Sequence, residues 1–190
     1  LNKELGALQT ITAYGQTALL TNACHLIDIM LFIAGDPAWI CGDIQRDYVR
    51  KVHGKEDHGG IGFFKFKNQS YGFLKATSKN KDNIMFELDI MFSDGRLKID
   101  EYQGKVEKWE FQKIYQGESI SSMNYKKLCK VNGEQIYTTS QRMLGAIDDL
   151  IDCIKKNKNP KSSFDNALKV LQVIKYIKKS SNNNNEPIQF

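Results

Sequence analysis

Two polar side chains stand inside the most apolar run of the chain, Leu19 to Pro37 (LLTNACHLIDIMLFIAGDP): His25 and Asp28. On a helix, residues three apart project from one face, about a turn from each other. An imidazole titrates near neutral pH and can take a proton from a hydroxyl, and a neighbouring carboxylate can orient that ring. The pair fits a plainer role as well, a core histidine bonded to Asp28 or to a backbone carbonyl, because buried polar groups are usually satisfied. Asp28 either orients His25 or bonds backbone or a neighbouring strand. Thr21 and Asn22, just ahead of the helix, carry groups suited to sugar hydroxyls and equally suited to capping the helix.

Other clusters point to less. His53, Asp57 and His58 sit close together, but two histidines and one carboxylate in a polar, glycine-bearing loop are a poor ligand set, and no metal site is expected. Cys24, Cys41, Cys129 and Cys153 are far apart with no C-x-x-C pair. That spacing argues against zinc and against a disulfide framework, and for buried or half-buried thiols in a reducing cytosol. The nearest approach to G-x-G-x-x-G is His58-Gly59-Gly60-Ile61-Gly62, which runs into the strand-like Phe63–Phe66 instead of a helix. The dinucleotide fingerprint is therefore missing. Lys75 and Arg142 are candidate substrate-facing cations, with plain solvent exposure as the ordinary outcome.

The elements that must position these residues follow from periodicity. Leu26, Ile27 and the run Ile29 to Ile33 leave the central helix almost no polar side, which predicts burial. The run is too short for a membrane span, which needs about 20 apolar residues, and Gly35-Asp36-Pro37 stops it. Ala7–Tyr14 alternates as a strand before it. After it come a strand over Trp39–Tyr48, a loop over Val49–Gly60, and a hairpin of Ile61–Lys67 and Ser70–Ser78 about Asn68-Gln69. Phe86–Phe92 and Arg96–Ile99 flank Ser93-Asp94-Gly95; Lys105–Phe111 and Lys130–Tyr137 add two more strands. Met143, Ile147, Leu150, Ile151 and Ile154 then form a helical stripe, and a second helix follows the Ser163 cap. Ser180–Asn185 reads as a polar tail, and Glu186–Phe190 as a brief pairing at a sheet edge. The layout is α+β: an open, mainly antiparallel meander sheet with helices packed on one face. Trp39, Phe63, Phe64, Phe66, Phe73, Phe86, Phe92, Trp109 and Phe111 exceed what one face of such a sheet can bury. The other face is expected to be an oligomer interface, most simply of a homodimer.

The chain has 190 residues, the size of one domain. Its 27 Lys and Arg outnumber 22 Asp and Glu, but they are dispersed, and the densest run, Lys155 to Lys161, complements a helix C-terminus. No basic stripe interleaves with exposed aromatics, so a nucleic-acid partner is not expected, nor is a membrane. The opening LNKELGAL has no charged head followed by an apolar core, consistent with a cytoplasmic protein. Beginning with Leu and entering a strand pattern almost at once, the sequence reads as one domain, residues 1–190, of a larger protein.

The pattern N-x-x-H-L-I-D followed by an apolar turn and G-D-P, here Asn22 to Pro37, resembles the first helix of the C-terminal domain in the glucose–fructose oxidoreductase and inositol dehydrogenase (Gfo/Idh/MocA) family. The D-G-R-L-x-I-D hairpin at Asp94–Asp100 and the closing helix, N-P loop and helix of Asp148–Lys179 are similar to that family too, in order and at suitable spacing. The resemblance covers the whole order of elements. It implies that His25 lies beside a nicotinamide ring and takes the hydroxyl proton at the sugar carbon being oxidised, with Asp28 as the acidic residue that follows. Many members carry an aspartate four residues before the histidine; here that place is Thr21, with Asn22 as the alternative polar contact. The implied protein is an NAD- or NADP-dependent oxidoreductase acting on a sugar, sugar acid or polyol. Its N-terminal Rossmann domain lies outside this chain, which alone is not expected to turn over substrate. The other reading, favoured by Thr21, is a non-catalytic interaction and oligomerisation domain that kept the fold and lost the chemistry.

Overall fold

The computed structural model describes residues 2–78, 85–100, 104–111, 125–130 and 139–190. In chain order these form α1 (Asn2–Leu5), β1 (Leu8–Gly15), α2 (Ala23–Ala34), β2 (Pro37–Val52), β3 (Lys55–Phe66), β4 (Tyr71–Ala76) and β5 (Phe86–Phe92). There follow β6 (Gly95–Asp100), β7 (Lys105–Phe111), β8 (Tyr125–Lys130), α3 (Thr139–Lys156), α4 (Phe164–Asn182) and β9 (Ile188–Gln189). The strands make one open sheet in the order β8-β7-β6-β5-β1-β4-β3-β2-β9.

The sheet is α+β as expected, but it is not a single meander. Two antiparallel meanders, β2–β4 and β5–β8, are joined through β1, which runs parallel to β4 and antiparallel to β5. The first strand of the chain is therefore the central one. Its inward residues Ile11 and Ala13 are fully buried, which is why a short and only moderately apolar segment can occupy that place.

Alternation sorts the two faces. In β4, Gly72, Leu74 and Ala76 point inward and Tyr71, Phe73 and Lys75 outward. The inner face, with Ile11, Ile40, Phe64, Phe66, Leu74, Leu88 and Ile90, is covered by α2 (Leu26, Ile27, Met30) and α4 (Val170, Val173, Ile174, Ile177) in one continuous core. Each such side chain contributes roughly 1.5–3 kcal/mol by leaving water. On the outer face, Phe63 packs against Trp39, Tyr71 and Phe73 with ring centroids 5.3, 5.8 and 5.0 Å away, leaving Tyr71 and Phe73 each 40% exposed.

The expected loop over Val49–Gly60 is instead the far end of a long β2–β3 ribbon, turning at His53 and Gly54 with φ of 48° and 75°. Residues 49–56 carry no apolar alternation because the tip of the ribbon leaves the core behind, whereas Asp57, Gly59 and Gly60 are buried where it returns. Pairing there is sustained by cross-strand partners such as Lys51 opposite Glu56. Short α1 was not legible in the sequence either; it buries Leu5 completely. The polar tail is likewise shorter than expected, because α4 runs on to Asn182 and Ser180 is fully buried.

Other expectations are met. The Ser163 hydroxyl accepts the Asn166 N–H at 3.3 Å and caps α4, and β9 pairs with the edge of β2. The stripe of α3 is present, but Met143, Ile147, Leu150, Ile151 and Ile154 are exposed. Cys24, Cys41 and Cys153 are half-buried free thiols. The expected strand over Lys130–Tyr137 falls, after Lys130, outside the described residues, as do the side chains of Cys129 and Arg142. No described helix is long and apolar enough to cross a membrane.

Candidate active site

Helix α2 carries the candidate residues, and β3 holds the turn that leads into it. The Leu19 N–H donates to the His58 carbonyl at 2.8 Å. One residue earlier on β3, the buried Asp57 carboxylate accepts the Leu20 N–H at 2.9 Å and the Thr21 hydroxyl at 2.7 Å. Thr21 and Asn22 do not cap α2 as expected. Asn22 occupies the cap position without a side-chain bond, and the Thr21 hydroxyl is already turned to Asp57. At the other end Gly35, with φ of 81°, returns its N–H to the Leu31 carbonyl at 2.8 Å, a conformation glycine adopts freely.

The helix is not buried all round. Ala23, Leu26, Ile27, Met30 and Ala34 form the buried side, whereas Phe32 is 71% exposed and His25 faces solvent. His25, Asp28, Ile29 and Phe32 fall on one stripe, at spacings of three, four and seven. The sheet covers only the opposite side and α4 borders this stripe across a groove, so an apolar sequence does not here mean an enclosed helix. The exposure of His25 removes the reading of a sealed core histidine.

His25 and Asp28 line a groove of about 330 Å³ between α2 and α4, together with Leu20, Cys24, Ser162, Ala167, Val170 and Leu171. No hydrogen bond to a described residue engages either the imidazole or the Asp28 carboxylate. Their polar atoms are thus available to a molecule in the groove. Burial pushes the Cys24 thiol above its ordinary value, and the negative charges of Asp57 and Asp28 add to that, so Cys24 enters the site as a neutral thiol. Asn22 is exposed and Thr21 half-buried at the same end of α2.

The remaining candidates disperse. His53 lies at the ribbon tip, Asp57 turns inward under Thr21, and the His58 ring donates from Nδ1 to the Gln45 carbonyl at 3.0 Å. Lys75 is on the outer face of the sheet, its ammonium 5.0 Å from the Tyr14 ring centre, with the sheet between it and α2. Two contributors were not legible in the sequence: Asp57, whose partners lie 36 and 37 residues away, and the groove wall from Ser162 to Leu171. Nothing local marks either one.

The described residues offer no cradle for the phosphates of a dinucleotide. No glycine-rich turn joins a strand to a helix, and the turn that opens α2 lies over the Asp57 carboxylate, whose charge opposes a phosphate.

The open sheet backed by helices on one face is the fold of the C-terminal alpha/beta domain of an oxidoreductase family. That family model, of the Gfo/Idh/MocA oxidoreductases, matches residues 12–190, and the chain belongs to the family. An uncharacterized protein of Haemophilus influenzae is 32% identical over 103 residues, 54% of this chain and 97% of its own length. Among solved structures, levoglucosan dehydrogenase in complex with NADH aligns over 99% of this chain with a TM-score of 0.76 at 12% identity. An oxidoreductase domain protein from Kribbella flavida aligns over 99% with a TM-score of 0.74 at 16% identity. Such identities speak for the fold. The chain spans 60% of the length of each of these two solved chains.

Proposed function

We propose that this chain is the substrate-binding and oligomerisation domain of an NAD- or NADP-dependent dehydrogenase acting on a sugar, sugar acid or polyol, with His25 as its general base. The observation that carries the reading is the place of His25: solvent-facing, free of hydrogen bonds to described residues, and beside Asp28 on the wall of a 330 Å³ groove. A nicotinamide bound chiefly by a Rossmann module outside this chain would supply the hydride acceptor. His25 takes the hydroxyl proton from the same carbon, Asp28 polarises the ring, and Thr21 and Asn22 bind hydroxyls at the α2 entrance. Levoglucosan dehydrogenase, of the same fold, is recorded with NADH and levoglucosan and with NADH and L-sorbose, which supports a nicotinamide and a polyhydroxy substrate here. The aromatic outer face of the sheet supports a homodimer.

The test is turnover by the intact gene product with NAD⁺ or NADP⁺ and a panel of sugars and polyols. His25→Ala is expected to lower kcat by about 10²-fold or more, as loss of a general base does, and turnover within about twofold of the parent would refute the assignment. The second reading, an interaction domain without chemistry, is supported by the exposed α3 stripe, a surface that needs a cover whether or not catalysis occurs. A G-x-G-x-x-G turn followed by a Lys-Pro pair, encoded upstream of Leu1, would favour the enzyme over that reading.

A further inference from the structure

Asp57 is 2% exposed and faces no cation among the described residues. Its two oxygens are met by neutral donors: the Leu20 N–H at 2.9 Å on Oδ1 and the Thr21 hydroxyl at 2.7 Å on Oδ2. An ionised carboxylate accepts and never donates. The single proton of Thr21 Oγ1 is therefore committed inward, and the remaining lone pairs of that oxygen are acceptors only. Thr21 is half-buried and directly follows Leu20, which lines the groove with His25. Anything that meets Thr21 at this edge must bring a donor. A hydroxyl of a neutral sugar or polyol satisfies that demand; a carboxylate or phosphate oxygen does not, and the Asp57 charge behind the hydroxyl repels it as well.

Building on the dehydrogenase reading above, we propose that Asp57 is a positioning residue that fixes Thr21 as a hydrogen-bond acceptor for a substrate hydroxyl, selecting a neutral polyhydroxy substrate over a sugar acid at this edge of the groove. The carboxylate acts through Thr21 and does not touch the substrate. It also ties the first turn of α2 to β3, and only the polarity role predicts a change in which substrates are accepted.

The test uses the intact gene product with levoglucosan, L-sorbose, the hexitols and D-gluconate, each with NAD⁺ and NADP⁺. Asp57→Asn keeps the shape and the bond to the Leu20 N–H, but its amide donates to Thr21 and turns the hydroxyl proton outward. A substrate hydroxyl can accept that proton as well as donate one, so the KM of a neutral substrate should change little, while the ratio of kcat/KM for D-gluconate to that for the neutral substrate should rise about tenfold, the worth of one hydrogen bond newly allowed. Thr21→Val, which removes the oxygen, should raise the KM of the neutral substrate about tenfold and abolish the shift toward D-gluconate when combined with Asp57→Asn; Thr21→Ser should stay near the parent. Thermal melting identifies a variant that fails to fold, in which case Thr21→Val against Thr21→Ser carries the test. If the D-gluconate to neutral-substrate ratio in Asp57→Asn stays within about twofold of the parent, or the KM of Thr21→Val does, while His25→Ala abolishes turnover, this inference is overturned and the dehydrogenase reading stands. If the parent turns over no neutral substrate of the panel, the inference falls; should it turn over D-gluconate, the dehydrogenase reading survives.

Discussion

Ser180 and Gly42, 138 residues apart, meet through a buried hydrogen bond: the hydroxyl accepts the Gly42 N–H at 3.0 Å and donates to the Glu186 carbonyl at 2.7 Å. One side chain thus joins the last turn of α4 to β2 and holds the turn that returns the chain to β9. Ser180→Ala leaves both backbone groups without their partner in a closed environment. The expected loss is about 1–3 kcal/mol, read as a lower urea midpoint with an unchanged slope.

Gly42 is the more demanding partner of that pair. A Cβ at Gly42 would lie 2.4 Å from the Ile61 carbonyl oxygen, which is backbone of β3 and cannot move without opening the ladder. Gly42→Ala should therefore cost more than about 2 kcal/mol. Gly145 in α3 meets nothing within 4 Å, and Gly145→Ala should stabilise by about 0.5–1 kcal/mol. Opposite signs from the same substitution, compared by chemical denaturation, check both sites.

Asp43 predicts an acid limb of stability. The Ser181 hydroxyl first, and then the Arg46 guanidinium and the Ile44 N–H, hold its carboxyl below 3.8. A carboxyl lowered by folding contributes its full stability above the unfolded value, near pH 4, and loses it as pH falls through the folded one. The side chain is 44% exposed, so the contribution is under about 1 kcal/mol. The stability gap between the parent and Asp43→Asn should be present at pH 6 and close below about pH 4, followed by denaturation at each pH.

The outer sheet face predicts association. Phe73 stacks on Phe63 at 5.0 Å yet stays 40% exposed, and Ile61 beside it is 51% exposed. We expect a dimer at micromolar concentration in sedimentation equilibrium, and a monomer with an unchanged fold for Phe73→Glu, which sets a charge in the middle of the face.

Where the sequence alternates, its strands could be read directly: Phe86–Phe92 and Lys105–Phe111 coincide with β5, which alternates over the core, and β7, which is half-buried throughout. Where it leaves the core, pattern failed. The distal β2–β3 ribbon is polar on both sides, and only turn geometry and charge pairing make it a strand. The central place of β1 was hidden because nothing in Leu8–Gly15 says which strands flank it. His25 and Asp28 were legible as an H-x-x-D pair, but their exposure was not, since hydrophobicity counts residues and cannot tell that the sheet covers a single side of α2. Asp57 was visible as a residue and invisible as a partner of Thr21, being fixed by a contact between distant strand and turn.

The parallel register of β1 on β4, Thr10 facing Tyr71 and Gly15 facing Ala76, bears on synthesis by the ribosome. Among the strands of this sheet β1 is made first and has neither neighbour yet, while each later hairpin can zip against the one just made. Two stacks of hairpins can thus form as separate units during translation. They fuse into one sheet only when the waiting β1 is captured between them, so lesions in Leu8–Gly15 should split the domain into halves instead of fraying an edge.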